Sequence, residues 1–332
     1  MKALAFAVAL ATAAVGPAAA QDASASASTP LAIDVAASPI SQFGVGTQIG
    51  DAYGELTFLG ALRLTSADPD FGGLSGLRVA GDGKGVTIIS DRGYWYRGEL
   101  VYDGPRLSAV AEMRKVATPG RDGKPLPGRR GFDTEGLEIE GKTAWVTAER
   151  VHWLTRYALD AEGFPAGAGK AIALPKGASS AASNGGYEAI SRMSSGALAL
   201  IAQSHRGANG ELQGYVVGGK APFAFTVKRS DDFVPTDMTR LPEGGFVLLE
   251  RRYRPPFSLS VRMRRLAEAD VVAGALVDGP VLMEASLAQG IDNFEGISAH
   301  RGADGRTVLT VVSDDNFHPL QRTLLMQFAL GK

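Results

Sequence analysis

Eight acidic residues recur at matching places along this chain: Asp91, Glu135, Glu149, Glu188, Asp237, Glu250, Glu295 and Asp314. Carboxylates gathered at one place can hold a hard divalent cation, because Ca²⁺ takes oxygen ligands only. They can also move protons as general acids and bases. Cations trail several of them: Arg92, Arg150, His205 with Arg206, and Arg251 with Arg252. Guanidinium groups bind phosphate or carboxylate through paired hydrogen bonds. Together these groups are what hydrolysis of an ester or phosphoester needs. In this reading Glu135 and Glu295 are general bases and His205 is the general acid. Arg92, Arg150 and Arg251 hold substrate, and Asp91, Glu149, Glu188, Asp237, Glu250 and Asp314 ligate Ca²⁺. Any one of these acids, taken alone, is better explained by a pairing with a neighbouring arginine or by capping turn amides; the set is what points to a site.

Other chemistries find less support. There is no cysteine, so thiol nucleophiles and thiolate metal sites are excluded, and the four histidines (His152, His205, His300, His318) are too scattered for a zinc motif. Ser75 lies in Gly-Leu-Ser-Gly-Leu, which is not the Gly-x-Ser-x-Gly elbow of serine hydrolases. Ser313-Asp314-Asp315-Asn316 lacks the twelve-residue EF-hand pattern. The three tryptophans, Trp95, Trp145 and Trp153, read as packing residues. The basic loop 118–131, with Arg121, Lys124, Arg129 and Arg130, reads equally as an overhang for anions or as a solvated loop.

The acids recur because the chain repeats. Segments 71–93, 132–150, 185–205, 233–253 and 293–316 share one plan. A small or acidic residue beside Gly, Ala or Met opens a short apolar run; a polar turn, a second apolar run and a polar cluster follow. Anchors at Ser75, Glu135, Glu188, Asp237 and Glu295 are 49 to 60 residues apart, close to the period of a four-stranded propeller blade. Further strand-like stretches lie between the repeats, and helical periodicity is weak. The expected fold is an all-β propeller with five blade repeats, closed by N- and C-terminal strands (Glu55–Leu64 and Leu324–Leu330). A sixth, degenerate blade drawn partly from residues 31–66 stays open. In each hairpin the start of the first strand and the end of the second lie at one sheet end, so the acids are expected to converge around one mouth.

Composition sets the wider frame. The chain has 332 residues with 34 basic and 35 acidic side chains, giving −1, and so carries no basic footprint for nucleic acid. Residues 1–20 pair a single lysine with an apolar run and an Ala-rich end, which reads as a secretory signal peptide cleaved near Ala20. Residues 21–30 read as a Ser/Ala linker, and 31–332 as one propeller domain. No later apolar run reaches membrane length. The mature protein is expected to be periplasmic or secreted, with a small-molecule substrate.

The same segments resemble the phytase-like family described as "esterase-like activity of phytase", from about residue 55 to 330. The resemblance is carried by GLSGL (73–77) with SDRG (90–93), DTEGLEI (133–139) with AER (148–150), and GGYEAI (185–190). PTDM (235–238) with LLER (248–251), and NFEGIS (293–298) with VSDDNF (312–317), complete it. It implies an exported bacterial propeller that hydrolyses esters or phosphoesters, without supplying catalytic residues. The chain departs from the pattern at Gln203 and His205, which stand where an acid is expected, and at Ala189 in place of glycine. Two other readings use the same fold: a calcium-dependent lactonase-type propeller, and a non-catalytic exported propeller that binds a ligand or envelope partner.

Overall fold

A computed structural model describes residues 29–127, 132–151, 153–178, 186–255 and 258–331. The expected signal peptide, most of the linker, His152, Arg129 and Arg130 lie outside them. Strands dominate, and no α-helix occurs among the described residues; residues Glu268–Asp270 form a 3₁₀ turn.

The strands form five sheets, each a blade of the propeller. Blade one comprises Leu74–Val79, Gly85–Ser90, Tyr94–Asp103 and Arg106–Ala117. Blade two comprises Thr134–Glu140, Thr143–Ala148, Trp153–Ala158 and Lys170–Ile172. Blade three runs Tyr187–Arg192, Leu198–Arg206, Leu212–Val217 and Phe223–Val227, and blade four Val234–Arg240, Phe246–Arg254, Ser258–Leu266 and Val281–Ser286. Blade five joins three C-terminal strands, Asn293–Arg301, Thr307–Asp314 and Thr323–Leu330, to the N-terminal strand Leu56–Thr65. Leu56–Thr65 pairs antiparallel with Thr323–Leu330, so the two chain ends close the ring as expected. Among the described residues no sixth blade forms, because Ala36–Ile40 adds to the outside of Leu56–Thr65 and Leu31–Ala32 to the edge of blade one.

Alternation along each strand explains the apolar content of the repeats. Side chains point to opposite sheet faces in turn, and a blade has a neighbour on both faces. In blade three, Ala199 and Ile201 pack toward Met238, Phe246 and Leu248 of blade four. Leu198, Leu200 and Ala202 pack toward Trp145 and Leu154 of blade two. Three further clusters fill the remaining gaps, with Phe58, Phe294 and Phe328 prominent between blades four and five and Trp95 between blades one and two. Trp95 and Trp145 are thus inter-blade core residues, while Trp153 lies edge-on to Phe132 with the Arg121 guanidinium above it.

The inner strands meet around a channel plugged by one arginine. Arg78 donates to the carbonyls of Leu77 (2.6 Å), Ile190 (2.8 Å), Met238 (3.0 Å) and Ile297 (2.9 Å). Its remaining contacts are with Asp237 (3.0 Å) and Glu138 (3.4 Å). All five inner strands therefore bond to one guanidinium, whose planar fork of donors suits a ring of carbonyls.

Candidate active site at the propeller mouth

Each inner strand breaks register with its partner at the same point. The shifts fall at Ser75-Gly76, Glu135-Gly136, Glu188, Thr236 and Glu295. A β-bulge places an extra residue outside the ladder and re-aims its side chain. Here the device is repeated five times at the start of the channel-lining strands. The small residues that follow have a physical cause: a Cβ on Gly136 would lie 2.4 Å from the Glu188 carbonyl, and one on Gly296 2.3 Å from that of Ser75. Adjacent inner strands approach too closely for a side chain there. Ala189, the departure from the glycine pattern, fits fully buried against blade four.

The second strands supply the other half of the mouth. Ser90, Ala148, Ala202, Glu250 and Ser313 occupy equivalent rungs, so the residues that follow them, Asp91, Glu149, Gln203, Arg251 and Asp314, are equivalent. The mouth is therefore lined by Asp91 from blade one, Glu135 and Glu149 from blade two, Glu188 from blade three, and Glu295 and Asp314 from blade five. Blade four contributes Thr236 and Arg251.

Two expected ligands are elsewhere. Asp237 and Glu250 are one residue away from the anchor positions, and a shift of one residue along a strand turns a side chain to the other face. Asp237 lies below the mouth, accepting from Arg78 and from the Ile297 amide (2.9 Å). Glu250 is fully buried within blade four, bound by Arg262 (2.9 Å) and by Arg264 at 2.7 and 2.8 Å. Neither joins the acidic ring, and Arg251 puts a cation where the repeat otherwise puts an acid.

Three groups complete the site that the sequence reading passed over. Asp133 precedes Glu135 by two residues, just before the strand Thr134–Glu140, and one oxygen each from Asp133, Glu135 and Glu149 lie within 4.8 Å of one another. Asn293 precedes Glu295 in the same way; it donates to Glu295 (2.8 Å) and accepts from Arg251 (2.7 Å). Asp315 accepts from the Gly73 amide (3.2 Å) and from Thr323 (3.0 Å). A D-x-E or N-x-E spacing at a strand start was the available signal, since residues two apart share a face.

Arg251 is also paired with Glu295, and Gln203 donates to Glu188 at 2.5 Å. The outer cations differ. Arg150 is exposed and bonds Asp133 (2.8 Å), and Arg92 lies 3.1 Å above the Phe317 ring. His205 sits farther along the extended second strand of blade three, its ring 6.4 Å from that of Tyr215.

Electrostatics follow from crowding. Burial, then the neighbouring charges of Glu188, Asp133, Glu295 and Glu149, push the Glu135 carboxyl well above the usual range. Glu188 and Glu295 are raised for the same first reason, though Arg251 opposes the rise in both. Asp91 is pushed up to about 6 by burial and Asp133, and Asp314 to about 8 by burial and Glu295. Burial alone would weaken Arg251 as a base, but Glu295, Glu188, Glu135 and Asp314 hold it protonated. Arg251, with Arg150 on Asp133 and Arg92 beside Asp91, cannot balance seven carboxylates. Protons or a cation must supply the rest. The donor set fits a hard cation such as Ca²⁺: it is all oxygen, and Asp91 Oδ1 is buried with no hydrogen-bond donor. Gly73 makes room for that oxygen, since its φ is +58° and a Cβ there would fall 2.1 Å from it.

Fold and site together define a five-bladed propeller with a carboxylate-lined mouth. The chain belongs to the phytase-like family: the model for "Esterase-like activity of phytase" matches residues 69–317, which contain every rim residue described above. No relative is found among curated proteins. Among solved structures, the chain is similar to the PQQ-bound aldose sugar dehydrogenase of Streptomyces coelicolor, at 10% identity and a TM-score of 0.44, covering 91% of this chain and 99% of that one. An endo-arabinase from Bacteroides thetaiotaomicron gives 10% identity and 0.46, covering 77% and 93%. A putative 6-phosphogluconolactonase from Bacteroides uniformis gives 14% and 0.33, covering 71% and 72%.

Proposed function

We propose that this chain is an exported hydrolase of phosphate or carboxylic esters that works at the acidic mouth around a bound Ca²⁺. The observation that carries this reading is the crowding of carboxylates at the mouth: Asp133, Glu135 and Glu149 lie together, and Glu135, Glu188, Glu295 and Asp314 surround the part-buried Arg251 guanidinium. Membership of an esterase-like family points the same way.

Asp91, Asp133, Glu135 and Glu149 would hold the cation. Bound there, it would polarise a phosphoryl or carbonyl oxygen and offset the repulsion among the acids. The opposite side of the mouth handles protons. Glu188, Glu295 and Asp314 have proton affinities raised by burial, so an ionised member can take a proton from an attacking water near neutral pH. Glu295, fixed by Arg251 and Asn293, is positioned for that step; Arg251 supplies positive charge for the anion that develops. Arg150 and Arg92 draw an anionic substrate to the outer edge. The reaction so described needs nothing from His205.

The test is turnover of p-nitrophenyl phosphate, p-nitrophenyl acetate and a sugar lactone by chelator-stripped protein, with and without added calcium. Hydrolysis of either ester that disappears on stripping and returns with calcium is expected, and Glu135→Gln and Glu295→Gln should abolish it in folded protein. Lactone turnover alone would move the assignment to a lactonase. No turnover of any of the three with calcium present, or turnover indifferent to chelation, would overturn the reading. Export is checked separately: the secreted protein should begin at Gln21.

A further inference from the structure

A second cavity, of about 440 Å³, lies at the opposite end of the channel. Its walls come from the far ends of the inner strands and the turns beyond them, and Arg78 forms its floor. Because Arg78 is bonded to all five inner strands, the cavity is closed off from the acidic mouth. The volume is in the range of small-molecule sites.

The lining is asymmetric in what is already satisfied. Its two acids are committed: Glu138 accepts from Arg78 and from the amides of Ile139 (3.1 Å) and Arg192 (3.2 Å). Asp160 accepts from the amides of Glu162 and Phe164, both at 2.9 Å. The donors are less so. The Arg97 guanidinium is half-buried and makes no hydrogen bond among the described residues. Burial and the nearby charge of Arg114 disfavour its charged form, while the charges of Asp160 and Glu162 favour it. Its guanidinium lies against Gly163 so closely that a Cβ there would fall 1.5 Å from Nη1, and Gly163 has a φ of +82°. Lys142 stands on the same wall, and Arg240 uses its Nε in an ion pair with Glu268 (3.5 Å), its terminal nitrogens remaining for a ligand. Ser298 Oγ accepts from the Val79 amide (2.8 Å) and Thr239 Oγ1 from the Ala299 amide (3.1 Å). Each hydroxyl proton is thereby left to donate elsewhere.

We infer that this cavity is a binding site for a small phosphate-bearing ligand, separate from the mouth. Arg97 is its anchor, Lys142 and Arg240 provide further charge, and the Thr239 and Ser298 hydroxyls complete the donor set. The donors outnumber the two oxygens of a carboxylate and suit a phosphate, which has more acceptors and more charge. The inference is independent of the hydrolase reading, since it involves neither the rim acids nor a metal.

The test uses the full chain stripped of metal, so that the mouth repels anions and turns nothing over. Calorimetric titration with inorganic phosphate and with glycerol 2-phosphate is expected to give saturable binding of one ligand per chain. Arg97→Ala should weaken it about tenfold or more, the worth of a charge-assisted hydrogen bond. Lys142→Met, at an exposed position, should weaken it severalfold without threatening the fold, and Glu135→Gln should leave it unchanged. Equal binding of the two probes assigns recognition to the phosphate group itself, and preference for the ester adds contacts to its organic part; both uphold the site. Absence of saturable binding by either probe overturns it. Unchanged affinity in both the Arg97 and Lys142 variants does the same, as does tighter binding in Glu135→Gln, which would place the anion at the mouth, where one repelling charge has been removed.

Discussion

Glu149, just after the second strand of blade two, and Glu250, within the second strand of blade four, stand one residue apart in the repeat, and that offset gives them different work. Glu149 stands with Asp133 and Glu135, where crowding favours a cation; Glu250 neutralises Arg262 and Arg264 inside blade four. Glu149→Gln is therefore expected to weaken calcium binding about tenfold, with little change in the urea midpoint of the metal-free protein. Glu250→Gln should do the reverse. It takes from the buried Arg262 and Arg264 the carboxylate they share, leaving them only the exposed Asp231 and Asp278, at a cost of about 3 kcal/mol, while the folded fraction keeps its calcium affinity. Calorimetry and urea unfolding on the two variants separate these outcomes. The rim acids also set a pH dependence. Burial moves Asp91 from the ordinary 3.8 to about 6 and Asp314 from 3.8 to about 8. The folded protein thus binds these protons more tightly than the unfolded chain. Stability of the metal-free protein should fall as pH rises from about 4 to about 8. Calcium, competing with the same protons, should restore Tm most at the upper end of that window. Melting curves in chelator and in calcium across this range check the sign.

At the scale of the strand, the site depends on five bulges and on how closely the bulged strands pack. Gly136 and Gly296 touch the next blade's backbone, whereas position 189 tolerates alanine. Gly136→Ala should force blades two and three apart and cost about 1–3 kcal/mol, the usual range for overpacking. It should also weaken calcium binding, because Glu135 is the preceding residue. Ala189→Gly, which opens space instead of closing it, should leave calcium binding nearly unchanged. Urea midpoints and calcium titrations of both variants test the claim that close approach of the inner strands aims the acids.

The whole molecule is held by ring closure and by the axial arginine. Leu56–Thr65 belongs in sequence to the start of the chain but in space to the last blade, which without it lacks its fourth strand. A chain beginning at residue 66 is expected not to fold, giving a flat near-ultraviolet circular dichroism spectrum. Arg78→Met removes the cation shared by Asp237 and Glu138 and leaves strand carbonyls on the axis without their donor. It should destabilise the protein by about 3–5 kcal/mol, read from the urea midpoint.

How much of this was legible follows from which signals are local. The sequence alone determined an all-β chain of five repeats. Apolar runs with turn residues between them recur about once per blade, and each strand must bury both faces. It also located most of the mouth, since acids at equal positions in equal hairpins must meet when the hairpins are arranged around an axis. Asp91, Glu135, Glu149, Glu188, Glu295 and Asp314 were found in that way. Register was decided only by the tertiary structure. Repeat four reads Pro-Thr-Asp-Met where repeats two and five read x-Glu-Gly-hydrophobic, and its neighbouring acids invited an alignment one residue off. Because side chains alternate along a strand, that single step carried Asp237 to the Arg78 plug and Glu250 into the blade, and brought Arg251 to the rim. The axial role of Arg78 and the cavity beyond it were likewise invisible in the sequence. They arise where five strands, far apart along the chain, present their carbonyls and hydroxyls to one point.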